Sequence, residues 1–202
     1  MFKKFVAIIG LVMASSFGAN ASLITIEQAD LNVGTTNADL AAIWAGLSAT
    51  DISSETLMGD ATLLFNGSAN NNTIFKMTIN VPNVNDVMFS LFTGLDAGYG
   101  AEIFVNGSML DERNEDLWWK RNWSNGDTFA AEGLSFLAGG NQIVVYWAEG
   151  NNSGGNSFEF SVDGGDRLVL SNGNLYTAVP TPSTIALFGL ALVGLGFSRR
   201  KA

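Results

Sequence analysis

The sequence predicts an all-β fold, an antiparallel jelly-roll-like β-sandwich, with an N-terminal signal peptide before it and a C-terminal single transmembrane helix after it. Two observations predict the sandwich. Apolar and β-branched segments recur about every 8–12 residues, and the stretches between them are rich in Asn and in Gly, of which the chain has 23. An uncharged apolar run near each end of the chain predicts the two flanking segments.

The amino terminus predicts a secretory signal peptide over residues 1–21. Lys3 and Lys4 form a short positive region, an apolar run follows, and residues 19–21 (Ala-Asn-Ala) fit the small-x-small pattern of a cleavage site. An ordinary buried helix would not require this order of features. Cleavage is expected between Ala21 and Ser22, which leaves a mature β-sandwich domain at residues 22–178.

Composition excludes several kinds of site. The chain has no Cys and no His, so disulfides, thiol nucleophiles, Ser-His-Asp triads and the usual zinc ligands are ruled out. All 19 acidic residues lie between Glu27 and Asp166, whereas five of the ten basic residues lie at the two ends of the chain. The part between the ends therefore has a net charge of −14, which repels nucleic acid.

The first elements of the mature domain are expected to be a short strand, residues 23–28, and one helix, residues 38–49. Apolar side chains recur in the helix at intervals of three and four residues, which places them on one face. These are Leu40, Ile43, Trp44 and Leu47. Thr36 or Asn37 is expected to cap this helix, which we expect to pack at the edge of a sheet.

The rest of the domain is predicted to consist of strands. Residues 72–81 alternate between apolar and polar side chains, whereas residues 86–96 are apolar on both faces, as in a strand inside a sheet. Asn-Gly pairs at residues 66–67 and 106–107 predict turns. The other strands are expected within residues 61–67, 101–107, 141–150, 157–165 and 167–173. The predicted core consists of Phe75, Ile79, Phe89, Phe92, Ile103, Val105, Leu134, Ile143, Val145, Phe158, Phe160 and Leu168.

The segment from Leu110 to Phe129 holds three of the five Trp residues of the chain. Trp118 and Trp119 must point to opposite faces if they lie in a strand, so one is expected to be buried. An exposed indole can stack on the apolar C–H face of a sugar ring. Core packing is the favoured role for these residues as a group. For glycan contact, Trp119 and Trp123 are the candidates.

A loop rich in Asn and Gly lies between two expected strands, within residues 147–160. Loops at the end of a sandwich are frequent ligand sites, and amide side chains can bond sugar hydroxyls. Its candidate glycan contacts are Asn151, Asn152 and Asn156. A hairpin tip without a ligand is an equally open interpretation.

No catalytic residue, cofactor or metal site is predicted. Acidic residues are plentiful, but the pair Asp163 and Asp166 lacks the alternating acidic ligands of a calcium loop, so calcium is only weakly indicated and a solvated turn is favoured. A glycosidase would need a specific pair of carboxylates, and none stands out among so many.

The carboxyl end, residues 179–202, is predicted to be a targeting segment rather than part of the fold. Residues 183–198 form an uncharged run of sixteen residues, near the short limit of a membrane span. Two prolines before the run break any preceding helix, and three basic residues after it hold that end on the cytoplasmic side. The mature domain would then lie outside the inner membrane.

This tail resembles the PEP-CTERM sorting signal of Gram-negative bacteria. The resemblance implies that exosortase recognises and removes the tail, after transient anchoring in the inner membrane, and that the protein ends at the cell surface or outside the cell. Thr181 stands where that family usually has Glu. The residues that carry the signal are Val179, Pro180, Thr181, Pro182, Ser183, Thr184, Arg199, Arg200 and Lys201.

The body of the chain resembles the CCXG family of PEP-CTERM proteins over residues 92–107, 116–123 and 146–160, with Asn151-Asn152 where that family has Cys-Cys. The strand pattern through residues 137–150 is also similar to jelly-roll lectin domains of the protective-antigen type. With the tail, these resemblances imply a non-enzymatic exported protein associated with exopolysaccharide or biofilm matrix, which binds carbohydrate. Two alternatives stay open: a self-associating structural matrix or adhesion protein, and a carboxylate-based glycoside hydrolase.

Overall fold

The computed structural model describes residues 23–31, 39–57, 59–65, 72–83, 85–150 and 154–178. Within these ranges the chain forms β-strands and two short helices. In chain order they are β1 (Ile24–Asp30), α1 (Leu40–Ala45), β2 (Ser53–Thr56), β3 (Thr73–Asn83), β4 (Val87–Gly94), β5 (Asp96–Ala97), β6 (Ala101–Val105), β7 (Ser108–Arg113), β8 (Leu117–Trp118), β9 (Phe129–Phe136), β10 (Gly139–Glu149), β11 (Ser157–Val162), β12 (Leu168–Val169) and α2 (Asn172–Ala178).

The strands form two main sheets and one small ribbon. The larger sheet has the order β2-β1-β3-β10-β6-β7, the smaller sheet has the order β12-β11-β4-β9, and β5 pairs with β8. Every strand pair in these sheets is antiparallel. The predicted all-β sandwich is confirmed, and β4 lies inside its sheet as the apolar pattern of residues 86–96 predicted.

The inner faces of the two main sheets enclose one continuous hydrophobic core. Trp147 of the larger sheet contacts Phe158 of the smaller sheet, with their ring centroids 5.5 Å apart, and stacks on Phe75 at 4.9 Å. Alternation along β3 places its apolar side chains inward, because successive residues of a strand point to opposite faces. These inward residues are Phe75, Met77, Ile79 and Val81.

One residue was wrongly predicted to lie in the core, and two others lie at the margin of the core. Leu168 is 38% exposed, because β12 is a two-residue edge strand with a neighbour on one side only. Val105 and Leu134 are half-buried against the core. The other predicted core residues are buried, although Phe92 lies on the outer face of the smaller sheet rather than between the sheets.

Helix α1 packs on the outer face of the larger sheet, not at the sheet edge that the sequence predicted. Its buried residues Leu40 and Trp44 share a second apolar cluster with Ile74 and Ala148 of the sheet. The cap is Asp39, whose carboxylate accepts a hydrogen bond from Ala42 N at 2.8 Å, so the prediction of Thr36 or Asn37 is wrong. Ser, Thr, Asp and Asn are all favoured N-cap residues, so the sequence offered several neighbouring positions for the cap.

Two predicted strands are much shorter in the structure. Within residues 61–67 the described part forms only an isolated bridge at Leu64. Within residues 167–173 the strand ends at Val169, and α2 begins at Asn172 and buries Leu175 in the core. The signal peptide and the sorting helix lie outside the described residues. In the described part of the chain, no helix is long and apolar enough to span a membrane.

Candidate functional site

The structure brings the two candidate segments of the sequence together at one end of the sandwich. We call residues 117–128 the Trp loop and residues 150–156 the Asn loop. The β5–β8 ribbon joins them, because it pairs Asp96 with Trp118 and Ala97 with Leu117. Asp96 in turn bonds the described end of the Asn loop, at Gly154 and Asn156.

The two adjacent Trp residues of this ribbon have opposite environments, as the strand pattern predicted. Trp118 is 57% exposed, whereas Trp119 is 4% exposed. The Trp119 ring lies on Gly94 of β4, and its Nε1 donates a hydrogen bond to Gly155 O at 2.8 Å. Trp119 is therefore a packing residue. Its predicted glycan contact is wrong, because the neighbouring backbone covers the ring.

Trp118 is the exposed aromatic of the pair, and its backbone is held on both sides. Its N–H donates to Asp127 Oδ2 at 3.4 Å, and its carbonyl accepts from Asn125 Nδ2 at 2.8 Å. The Lys120 Nζ lies 5.2 Å from the centroid of the Trp118 ring. Strand alternation predicted that one of the two Trp residues would be buried, but it did not predict which one. That depends on Gly94 and Gly155, which contact Trp119.

The exposure of Trp123 is intermediate between those of Trp118 and Trp119. The side chain is half-buried, and its ring centroid is 4.8 Å from that of Trp119. It therefore packs on the outside of the buried indole and retains part of its own surface for contact.

Asn156 is fully buried, so its predicted contact with a glycan is also wrong. Its Oδ1 accepts a hydrogen bond from Asp96 N at 2.9 Å, and its Nδ2 donates to the Glu149 carboxylate. Trp147 Nε1 donates to the same Glu149 oxygen at 3.2 Å. This polar network fixes the base of the Asn loop. Asn151 and Asn152 lie outside the described residues.

The side chain of Asp96 also connects the described end of the Asn loop to the β5–β8 ribbon. Its carboxylate accepts a hydrogen bond from Gly154 N. Burial raises the pKa of Asp96, the hydrogen bond from Gly154 opposes this shift, and the nearby charge of Asp116 adds to it. A Cβ at Gly154 would lie 2.1 Å from the Asp96 Oδ2, so only glycine allows this contact.

The Trp loop turns through two residues with left-handed backbone conformations. The φ angles of Lys120 and Arg121 are +56° and +54°, and Asn122 N donates to Trp119 O at 3.0 Å. Two positive φ angles inside such a hydrogen bond define a type I′ turn. Both cationic side chains are exposed.

The buried carboxylates of the described residues are Glu102 and Glu149. Glu102 lies on the outer face of the larger sheet and accepts hydrogen bonds from Leu40 N at 2.6 Å and Ala41 N at 3.0 Å. Glu149 lies on the opposite face, two residues from Trp147 along β10. The two do not face each other across a cleft. Among the described residues, no group of three acidic side chains could hold a metal ion.

Residues 178–201 match the PEP-CTERM protein-sorting motif. The sorting signal predicted at residues 179–202 is thereby confirmed, and the motif implies an exported protein that exosortase processes. The resemblance of the body to the CCXG family stays a prediction. No curated protein matches the chain.

Several solved structures are similar to this chain at low sequence identity. A PA14 sugar-binding domain from an RTX adhesin has a TM-score of 0.49 and 15% identity, and the match covers 73% of this chain and 93% of that one. The PA14 domain of the MpAFP antifreeze protein has a TM-score of 0.48 and 16% identity, over 75% and 88% of the two chains. The epithelial adhesin 6 A domain of Candida glabrata, in complex with Galb1-3GlcNAc, has a TM-score of 0.46 and 9% identity, over 72% and 82%.

Proposed function

We propose that this protein, which carries a PEP-CTERM sorting motif at residues 178–201, is a non-enzymatic exported protein that binds extracellular polysaccharide through its Trp loop. In this proposal a cleaved signal peptide directs export, and the tail anchors the protein in the inner membrane until exosortase acts. The mature domain then works at the cell surface or in the surrounding matrix.

The observation that carries the binding proposal is the exposure of Trp118. A Trp side chain with 57% of its surface in water gives up much of the stabilisation that burial would provide. Its strand is fixed by the pairing with β5 and by hydrogen bonds to both backbone groups. A rigid, solvent-facing indole is suited to stack on a sugar ring, and it loses little conformational entropy on binding.

The surroundings of Trp118 supply the polar partners that a sugar needs. Asp96 lies opposite Trp118 in the ribbon, and the side chains of Asp127 and Asn125 bond the backbone of Trp118. Carboxylates accept hydrogen bonds from hydroxyls, and amides both accept and donate them. Trp123, half-buried beside Trp119, is the second aromatic contact in this proposal.

The test is glycan binding by the purified full-length protein and its Trp118→Ala variant, with a glycan array followed by pull-down on bacterial exopolysaccharide. We expect binding by the natural protein and a loss of about tenfold or more in the variant, as for removal of one stacked aromatic. Tyr176→Ala is the matched control, since Tyr176 is an aromatic that is 47% exposed on a different element, α2. Binding to no glycan, or an equal loss in both variants, would contradict the proposal.

A self-associating matrix protein is the second candidate, and the edge strand β7 favours it. Met109 and Leu110 are 47% and 46% exposed on this strand, which has a neighbour on one side only. Exposed apolar edge strands are templates for pairing with another chain. Sedimentation analysis at rising protein concentration, without glycan, tests it: assembly that Leu110→Lys abolishes would support this candidate over the first.

A further inference from the structure

A cavity of about 280 Å³ opens at the side of the sandwich, between the β1–β2 edge of the larger sheet and Phe65. Glu55 of β2 lies opposite Ile26 of β1, and Ser53 lies opposite Gln28. Because Ile26 is buried in the core and paired residues share one face of a sheet, Glu55 lies on the inner face of the sheet as well. The lining consists of Ile26, Gln28, Ser53, Ser54, Glu55 and Phe65.

Phe65 forms the aromatic wall of this cavity and is held in a strained backbone conformation. Its φ angle is +56°, in the left-handed region that bulky side chains rarely adopt. The preceding residue, Leu64, is fixed by backbone hydrogen bonds of 2.7 and 2.9 Å with Asn156. The Phe65 ring lies half-buried against the core, with its centroid 4.4 Å from that of Phe75. Strained residues held in this way are typical of ligand sites.

The polar side chains of the cavity are not required by the hydrogen bonds of the fold. In the described part of the chain, the side chains of Gln28 and Glu55 make no hydrogen bond or ion pair. The Ser53 hydroxyl makes one long bond, to Gln28 O at 3.4 Å. An apolar base with a few polar groups is the usual composition of a small-ligand site, and this volume is near the lower limit for such sites. The cavity therefore suits a molecule of about the size of one sugar ring.

The charge in the lining of the cavity is negative, because Glu55 is its charged residue. Lys76 pairs with β1 but lies on the outer face of the larger sheet, where it bonds Glu27. The lining includes none of the five basic residues of the domain, which are Lys76, Arg113, Lys120, Arg121 and Arg167. Glu55 would repel an anion in the cavity and attract a cationic group. An ammonium group can bond a carboxylate and also lie against an aromatic face.

We propose that this cavity binds a sugar residue that carries a protonated amino group, so that its ligand is an amino sugar of a polysaccharide. The C–H face of the ring packs on Phe65, and the ammonium group donates a hydrogen bond to Glu55. The ring hydroxyls bond the amide of Gln28 and the hydroxyl of Ser53. The inference goes beyond the proposed function, because it adds a second sugar site that does not involve Trp118.

The experiment compares two monosaccharides with the full-length protein. Methyl β-D-glucosaminide is the cationic probe, and methyl β-D-glucoside, which has a hydroxyl in place of the amino group, is the neutral probe. Saturation-transfer NMR titrations at pH 6, where the amino group is protonated, give both dissociation constants. We expect the amino sugar to bind about fivefold more tightly, as for one ion pair at a partly exposed site. Glu55→Gln should remove this preference and retain the fold, because the Glu55 side chain is exposed.

Two controls separate the cavity from the net charge of the domain and from simple amine binding. Glu132→Gln makes the same change of charge at an exposed position of β9 and should keep the preference within about twofold. Ethanolamine should compete poorly with the amino sugar, because it has no ring to pack on Phe65. Binding of neither monosaccharide, a preference that persists in Glu55→Gln, an equal loss in Glu132→Gln, or equal competition by ethanolamine overturns the inference.

The outcomes also separate this inference from the proposed function. Trp118→Ala should leave the preference for the amino sugar unchanged. If Trp118→Ala removes the preference and Glu55→Gln does not, the sugar binds at the Trp loop, so the proposed function stands and the cavity inference is wrong. If no polysaccharide binds through Trp118 but Glu55 determines the preference for the amino sugar, the cavity inference stands and the proposed function is wrong.

Discussion

Trp119 lies directly on Gly94, so closely that a Cβ at Gly94 would come within 2.4 Å of the indole ring. Gly94 is the last residue of β4 and faces outward from the smaller sheet. The missing side chain makes the space in which Trp119 is buried, and Trp118 must then point to solvent. Gly94 is thus one of the residues that determine which of the two indoles is available for a ligand.

Gly94→Ala is expected to lower the free energy of unfolding by about 2 kcal/mol, because the added Cβ overpacks against the rigid indole ring of Trp119. Urea denaturation followed by tryptophan fluorescence measures it, and the glycan affinity should fall with the displaced Trp loop. Gly59→Ala is the control, since nothing lies within 4 Å of a Cβ at Gly59; its effect should stay below about 0.5 kcal/mol. Equal effects at the two glycines would contradict this account.

Truncation of the two neighbouring Trp residues should destabilise the domain to very different extents. Trp119→Ala removes a buried indole and its bond to Gly155, and it should cost about 3–5 kcal/mol of stability. Trp118→Ala removes a mostly exposed ring and should cost less than about 1 kcal/mol. Thermal and urea unfolding of both variants check this, and a loss of stability for Trp118→Ala as large as that for Trp119→Ala would refute the assignment.

The sequence predicts the parts of this fold that depend on alternation and on turn chemistry. The inward-facing residues of β3 follow from the alternation of apolar and polar side chains, and the turn at Asn106 and Gly107 follows from the Asn-Gly pair. Leu168 was predicted in the core because its segment is apolar, but burial depends on a strand neighbour that sequence alone does not locate.

The candidate site was predicted only in part, because its geometry depends on contacts between distant segments. Alternation predicted that Trp118 and Trp119 differ, whereas Gly94 and Gly155, distant in sequence, decide which is buried. Asn156 belongs to a loop rich in Asn, yet its pairing with Glu149 makes it structural. The residue types of Lys120 and Arg121 do not predict a left-handed turn, because neither Lys nor Arg favours positive φ angles.

Asn156→Ala should be strongly destabilising because the Glu149 carboxylate loses a buried donor. We expect a cost of about 3 kcal/mol, as for breaking a buried polar pair from one side. Asn80→Ala is the control, since its amide oxygen bonds only the exposed Gln142 among the described contacts, and its cost should be about 1 kcal/mol or less. Chemical denaturation of the three proteins at pH 7 is the measurement. A cost for Asn156→Ala no greater than that of the control would argue against a structural role for the network.

Glu102 should make the domain's stability depend on pH. Burial raises its pKa above the ordinary value of 4.5, against the opposing effect of its hydrogen bonds from Leu40 and Ala41. The folded state therefore binds a proton more readily than the unfolded state. This contribution to stability is fully present below about pH 4.5 and is lost as pH rises through the folded pKa.

The measurement is urea unfolding of the natural protein and Glu102→Gln between pH 4.5 and pH 7.5. The natural protein should gain stability relative to the variant as pH falls, because only its side chain can take up the proton. Curves that run parallel over this range would show that Glu102 does not titrate differently in the folded and unfolded states.

The strained turn of the Trp loop leads to a reciprocal prediction. Lys120→Asn with Arg121→Gly should raise the free energy of unfolding by about 1–2 kcal/mol, because it relieves two left-handed residues that carry long side chains. The mirror exchange, Asn106→Lys with Gly107→Arg, should lower it by a similar amount at a turn of the same handedness. Thermal unfolding of both double variants tests this. If the first exchange does not stabilise the domain while the second destabilises it, contacts of Lys120 and Arg121 offset the backbone cost of the turn in the Trp loop.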